Sequence, residues 1–414
     1  MLVALLLAVS LALVGCSRDS PAPTYSGGES NPSVAKLLQR TLNQRAVALS
    51  KDNVAGFRRT LDRSDSGLID DEQTYFDNLT QLPIESFRLR LVRNSLQPVE
   101  GSEDYWAELV VALQLRGYDD APVRTRDRFL FTPSSNGKRM LISSTSDYRW
   151  EGEHPANVLP WDRGTIHVDE SAGVLGIFDD STWPHAEAVI DAASLGRYDV
   201  RTAMGVAGTP DETGVVVYAL QDPTFVRGVA SQTIGDPDRA DGLTIAMPVD
   251  ATKDNSPIAS YRIFLNPRIL TESDAVLARL VRHELTHAVL GPRGRRAPLW
   301  LTEGLAEFVS VLPMPASERR LPADALEVGR SATGLPGEAE FSGSDAKAWY
   351  AVSWWVCEYI ARAYGQPVLL DLLDEFDEGT DQSQVLSEAL GISAAELTQR
   401  GVALMATTYN GRTG

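Results

Sequence analysis

Cysteine is almost missing from this chain. Its 414 residues hold two, Cys16 and Cys357, which excludes a fold stapled by a disulfide framework. Histidine is nearly as scarce, at five. Basic residues are outnumbered, with Lys+Arg 38 against Asp+Glu 56, a net charge of −18 and a pI near 4.8. A surface so acidic repels phosphate backbones and argues against nucleic acid as a partner. There is one long apolar run, Leu2 to Gly15, and it is too short to span a bilayer. Internal repeats are absent, and so is low complexity beyond residues 17–31. What remains is ordinary globular composition, 43% hydrophobic and 23% charged, enough for two or three cored domains.

The apolar run reads as the core of a signal peptide over residues 1–16. Its ending, Leu13-Val14-Gly15-Cys16, resembles the lipobox of bacterial lipoproteins. That resemblance implies cleavage before Cys16 and a lipid on its sulfur. The chain would then be exported and anchored through that lipid to the outer face of the cell membrane. A plain cleaved signal or a short anchor is the other reading of the run. Residues 17–31, rich in Ser, Pro and Gly, read as a flexible tether.

Residues 32–150 read as an α+β unit. Val34 to Ser50 carries Leu37, Leu38, Leu42, Val47 and Leu49 mostly on one helical side, and Asp71 to Leu82 reads as a second helix ending before Pro83. Strand-like runs follow at Ser86–Val92, Tyr105–Arg116, Val123–Thr132 and Lys138–Ser144. Arg124, Arg126 and Arg128 alternate with Val123, Thr125 and Asp127, a period of two that predicts an exposed sheet face. Helices followed by an antiparallel sheet are similar to the cone-shaped fold of nuclear-transport-factor-like domains. No catalytic cluster is visible here, so a structural or docking role is expected.

A linker near Glu151–Trp161, with Pro155 and Pro160, leads into residues 155–414. Thr165–Phe178 is strand-like and Ala186–Leu195 helical. Val215–Leu220, Leu243–Pro248 and Tyr261–Leu265 are strand-like, and helices dominate from Asp345 onwards.

Chemistry concentrates in Val281-Arg282-His283-Glu284-Leu285-Thr286-His287. On a helix, positions i and i+4 share a face, so two imidazoles there can reach one metal ion. The intervening glutamate can lean over a water on that ion. Thr271 and Asp274 resemble a capping box for this helix, and Gly291-Pro292 is a stop signal. Val276, Leu280, His283, His287 and Leu290 fall on one stripe, predicted to face the core. A chance H-E-x-x-H match is expected in roughly one chain in a hundred or fewer at this composition. Two satisfied core histidines are the alternative.

Fifteen residues separate His287 from Glu303, which stands in Trp300-Leu301-Thr302-Glu303-Gly304-Leu305-Ala306-Glu307-Phe308. Pro298 suits the start of a helix here. Glu303 and Glu307 share a face. Glu303 can supply a third metal ligand, and Glu307 can hold the far nitrogen of a ligand histidine. The apolar flanks predict a buried helix, where carboxylates need partners.

These two segments together resemble the gluzincin clan, thermolysin and related aminopeptidases, and most closely the bacterial peptidase-MA-like exported proteins. The motif core covers His283 to Phe308, with a weaker likeness to about Leu373. Thr302 stands where the aminopeptidases often have Asn, and the spacing between motifs is shorter than theirs. The resemblance implies an α+β fold in which a thermolysin-like zincin domain follows the cone-like one. It also implies one zinc ion held by His283, His287 and Glu303, with Glu284 as general base in peptide-bond hydrolysis. A Tyr or His from a later helix often steadies the oxyanion in this clan, and Tyr350 is the candidate. An aromatic that only packs behind the site is its other reading.

The remaining histidines, His154, His167 and His185, are read as surface or structural residues, and Cys357 as a buried structural cysteine. Arg293, Arg295 and Arg296 form a basic loop, solvated or able to meet a substrate carboxylate. Three functions are therefore expected for testing: a zinc metallopeptidase acting on peptides or proteins, a catalytically silent zincin-fold binding or scaffold lipoprotein, and a zinc hydrolase of another amide.

Overall fold

Alternation along the strands sets up the N-terminal half of this α+β chain. The computed structural model describes residues 31–154, 157–206, 213–223, 225–226, 240–253 and 255–410. The signal peptide, the lipid site at Cys16 and nearly all of the tether lie outside them. Helix α1 (Pro32–Ser50) starts with a proline and with the Asn31 side chain accepting from the Val34 N–H at 3.3 Å. Helices α2 (Val54–Arg58) and α3 (Ser66–Gln81) follow. Strands β1 (Ile84–Leu91), β2 (Gln97–Pro98), β3 (Tyr105–Leu115), β4 (Val123–Pro133) and β5 (Met140–Ser144) then form an antiparallel sheet. Its order is β1-β3-β4-β5, with β2 also pairing β3. Phe87, Leu89, Leu109, Phe129 and Phe131 point inward against Leu38 and Leu42 of α1. The short helices α2 and α4 (Tyr148–Glu153) were not anticipated, because five or six residues are too few for a periodic signal.

The outer face departs from expectation at one arginine. Arg124 is exposed and Arg126 half-buried, but Arg128 is 5% exposed. It is ion-paired to Asp147 and its guanidinium carbon lies 5.1 Å from the Trp106 ring centre. The partner comes from beyond the sheet, so a period of two could not reveal it.

The second sheet holds strands β6 (His167–Ser171), β7 (Val174–Phe178), β8 (Val215–Ala219), β9 (Gly242–Pro248) and β10 (Ile258–Leu265), in the order β6-β7-β8-β10-β9. Strands β7, β8 and β10 run parallel, while β6 and β9 are antiparallel edges. The expected single run Thr165–Phe178 is in fact a hairpin. It turns at Ala172 and Gly173, whose φ values of 48° and 76° suit a tight reversal. Both faces of this sheet are buried. Val215, Val217, Ile263 and Leu265 pack on the C-terminal helices, while Val216, Tyr218 and Phe264 join the core of the N-terminal unit. Two-sided burial explains why β7 and β8 read as unbroken apolar runs.

One buried polar lock ties the two halves. Arg262 of β10 is 1% exposed and reaches Asp119, in the turn after β3, at 2.9 Å. Tyr218 and Ser260 complete its partners, and Asp119 also accepts the Leu115 N–H at 2.8 Å.

Helix α5 (Ala186–Ala203) runs two turns beyond the expected Leu195, and α6 (Asp274–Leu290) packs beside it. Helix α7 (Leu299–Val311) is buried along most of its length. Then come α8 (Ala325–Ser331), α9 (Glu338–Ser342), α10 (Ala346–Tyr364), α11 (Pro367–Asp377), α12 (Gln382–Leu390) and α13 (Ala394–Asn410). Helix α10 is the hub: it contacts α7, α8, α9, α11 and α13. Its crossing with α7 is close, because a Cβ on Gly304 would sit 2.8 Å from the sulfur of buried Cys357. Among the described residues no helix is long and apolar enough to cross a membrane.

Candidate metal centre

Helix α6 begins at Asp274 with Ser273 as its cap residue and no side-chain capping bond. The expected capping box is therefore absent. Thr271 closes a preceding 3-10 turn, Pro267–Thr271, where its hydroxyl donates to the Arg268 carbonyl at 2.9 Å. The helix ends as predicted at Gly291, whose φ of 52° favours glycine. The predicted core stripe holds only in part. Leu290 is buried and Leu280 packs against the core, together with Leu277, Val281 and Leu285, whereas Val276 is 43% exposed and His283 and His287 are only partly buried. The two histidines thus sit at the margin of the core, their side chains 12% and 22% exposed.

Helix α7 starts one residue after Pro298, and Trp300 anchors its first turn by donating to Gln382 at 2.8 Å. One turn in, Glu303 meets the histidines. His283 Nε2 and His287 Nε2 are 3.2 Å apart, and each lies 3.4 Å from the same Glu303 oxygen, Oε2. These three residues form a group that could hold a metal ion.

Behind them, Glu307 Oε1 lies 3.4 Å from His283 Nδ1, and its other oxygen is ion-paired to Arg279. The chain Arg279–Glu307–His283 fixes the ring and points Nε2 at the shared centre. Burial disfavours a charged His283, but Glu303, Glu307 and Glu284 outweigh it and raise its pKa well above the usual histidine value. Burial pushes Glu303 up, yet His287 and His283 hold it well below the usual carboxylate range. Glu307 is likewise held to about 2 by His283 and Arg279, against the effect of burial. Two ionised carboxylates crowding a protonated imidazole are what a cation in that position would relieve, in competition with the proton.

Glu284 is 5% exposed. Burial, with help from Glu303, pushes its pKa up, while His283, His287 and Thr244 pull it down. Thr244 Oγ1 lies 2.8 Å from Glu284 Oε2. Tyr350 of α10 is near: its ring centre is 6.3 Å from that of His283, and 5.0 Å from Phe341. Burial and then Glu303, Glu284 and Glu307 raise its phenol far above the usual tyrosine value, so it stays a neutral donor.

The other three histidines lie elsewhere. His154 stacks on Trp150, His167 pairs with Asp180 at 2.6 Å, and His185 stands just before α5 without a side-chain capping bond. The basic loop is tied to α11: Arg293 pairs with Asp374 at 2.7 Å and Arg296 donates to the Asp377 carbonyl. Sequence reasoning missed Arg279, Thr244 and Gly242. Arg279, four residues before His283, was open to the same helical spacing argument. The other two sit 40 residues or more from Glu284 and carry no local signal. No protein-family model matches the chain, and no curated protein matches it either.

Proposed function

We propose that the chain is a zinc-dependent metallopeptidase of the gluzincin type, acting on peptides or proteins outside the cytoplasmic membrane. One observation carries the reading. Three ligand atoms at zinc bond lengths of about 2.0–2.1 Å occupy tetrahedron corners about 3.3–3.4 Å apart. The separations here are 3.2, 3.4 and 3.4 Å. Two imidazoles and one carboxylate also form the donor set of catalytic zinc, which keeps a fourth position open. The peptide part is supported by β9, an edge strand beside Glu284 whose residues 242–248 pair outward with no strand among the described residues, although just past its end Val249 accepts from the Arg124 N–H of β4 at 3.0 Å. An extended chain can add to such an edge. Membrane attachment rests on the lipobox-like residues ending in Cys16.

When bound, zinc supplies Lewis acidity and a water acidified to a pKa of about 7. The chain's own groups do the rest. Glu284 accepts the proton of the attacking water and later delivers it to the leaving amine. Tyr350 donates a hydrogen bond towards the oxygen that gains charge. Glu307 keeps the His283 proton on Nδ1 and Nε2 free for the ion. Glu307→Gln is expected to weaken zinc binding about 10- to 100-fold, read by competition with a chelator of known affinity. Unchanged affinity would remove Glu307 from this duty.

The test of the whole reading is direct. The purified chain should carry close to one equivalent of zinc and hydrolyse members of a mixed peptide library. Chelation should abolish turnover and added zinc restore it. Zinc without turnover of any peptide would favour a silent binding protein, and turnover indifferent to chelation would end the metal reading.

A further inference from the structure

A glutamate side chain has three rotatable bonds, and holding it still costs rotamer freedom. Something must hold Glu284, and it is not a metal ligand. The edge strand β9 meets this need. Its residues alternate between two layers: Leu243, Ile245 and Met247 enter the core shared with the N-terminal unit, while Gly242 and Thr244 turn to α6. Thr244 Oγ1 is 2.8 Å from Glu284 Oε2 and equally 2.8 Å from the Glu284 main-chain carbonyl. The hydroxyl's single proton can go to either oxygen, so Thr244 sits between the carboxyl and the backbone of its own helix. Threonine suits this task, since β-branching stiffens χ1 and its strand is paired to β10, Thr244 opposite Ile263. Two residues earlier, Gly242 leaves room for the other oxygen. A Cβ there would lie 2.9 Å from Glu284 Oε1 and 3.2 Å from its carboxyl carbon.

We propose that Thr244 and Gly242 form a positioning clamp on the strand edge that fixes the Glu284 carboxyl in the rotamer facing His283, His287 and Glu303. The clamp rests on the metallopeptidase reading, because it has a kinetic consequence only if Glu284 moves protons. It also assigns this edge strand a second duty: on the metallopeptidase reading it aligns the general base as well as offering an edge for an extended substrate.

The experiment uses the whole chain with Thr244→Val, Thr244→Ser and Gly242→Ala. Valine keeps the branched shape and removes the hydroxyl, serine keeps the hydroxyl. Displacement of a reacting group by about 1 Å can cost about 100-fold. Thr244→Val is expected to lower kcat about 10- to 100-fold with KM within about twofold. Zinc content and the urea midpoint should match wild type, which separates misplacement from unfolding. Thr244→Ser should recover most of the loss, and Gly242→Ala should lower kcat without loss of zinc. Active wild type with an unaffected Thr244→Val variant overturns the clamp alone. So does a serine variant as poor as the valine one. A zinc-loaded wild type that turns over no peptide overturns the metallopeptidase reading, and the clamp with it.

Discussion

Glu284→Gln should lower kcat for peptide hydrolysis by about 100- to 10,000-fold, or about 3–5 kcal/mol of barrier. The glutamine amide has nearly the shape of the carboxylate but cannot take a proton from water. Zinc content should equal that of wild type, because the three converging donors belong to His283, His287 and Glu303. The pairing of the two measurements is the point. A ligand lost together with activity would mean that Glu284 supports the ion itself, and retained turnover would mean that another group accepts the proton. Tyr350, another titratable side chain near the group, is poorly suited, since burial and three carboxylates keep its phenol protonated.

The second large effect is on stability. Asp119→Ala should destabilise the chain by about 3–5 kcal/mol, because it strands the Arg262 guanidinium in a buried layer. Tyr218 and Ser260 can accept hydrogen bonds from that group but cannot neutralise it. The urea midpoint is the measurement, and a shift towards lower urea is expected. Replacing Asp119 and Arg262 together by Leu and Met should recover much of the loss, since two charges leave the interior at once. An unmoved midpoint in Asp119→Ala would show that water reaches Arg262 and that the layer is not closed.

How far the sequence carried differs between the site and its surroundings. His283, Glu284, His287, Glu303 and Glu307 were legible because helical spacing is local: one turn brings i and i+4 together whatever the rest of the chain does. The helix ends at Gly291 and Pro298 were legible for the same reason. What spacing could not supply was direction. The stripe through His283 and His287 was assigned to the core, yet only its Leu280 and Leu290 meet it, beside Leu277, Val281 and Leu285, while Val276 is exposed and the histidines sit at the core's margin. A stripe of mixed Val, Leu and His does not say which neighbour it meets. Longer-range pairings were invisible altogether: Asp119 and Arg262 are 143 residues apart, and Glu284 and Thr244 are 40 apart. The burial of β7 and β8 on both faces hinted that a further layer must cover the second sheet, although the apolar runs alone could not name it.

The close crossing at Gly304 has a practical outcome. Cys357 is wholly enclosed there, one residue along from Glu303, and burial raises its pKa far above the usual value. An alkylating reagent meets that sulfur once the α7–α10 crossing opens, and Glu303 rides on the same helix. If the proposed ion binds Glu303, added zinc is expected to slow labelling of Cys357 in the folded chain, and a labelling rate indifferent to zinc would separate the crossing from the metal group.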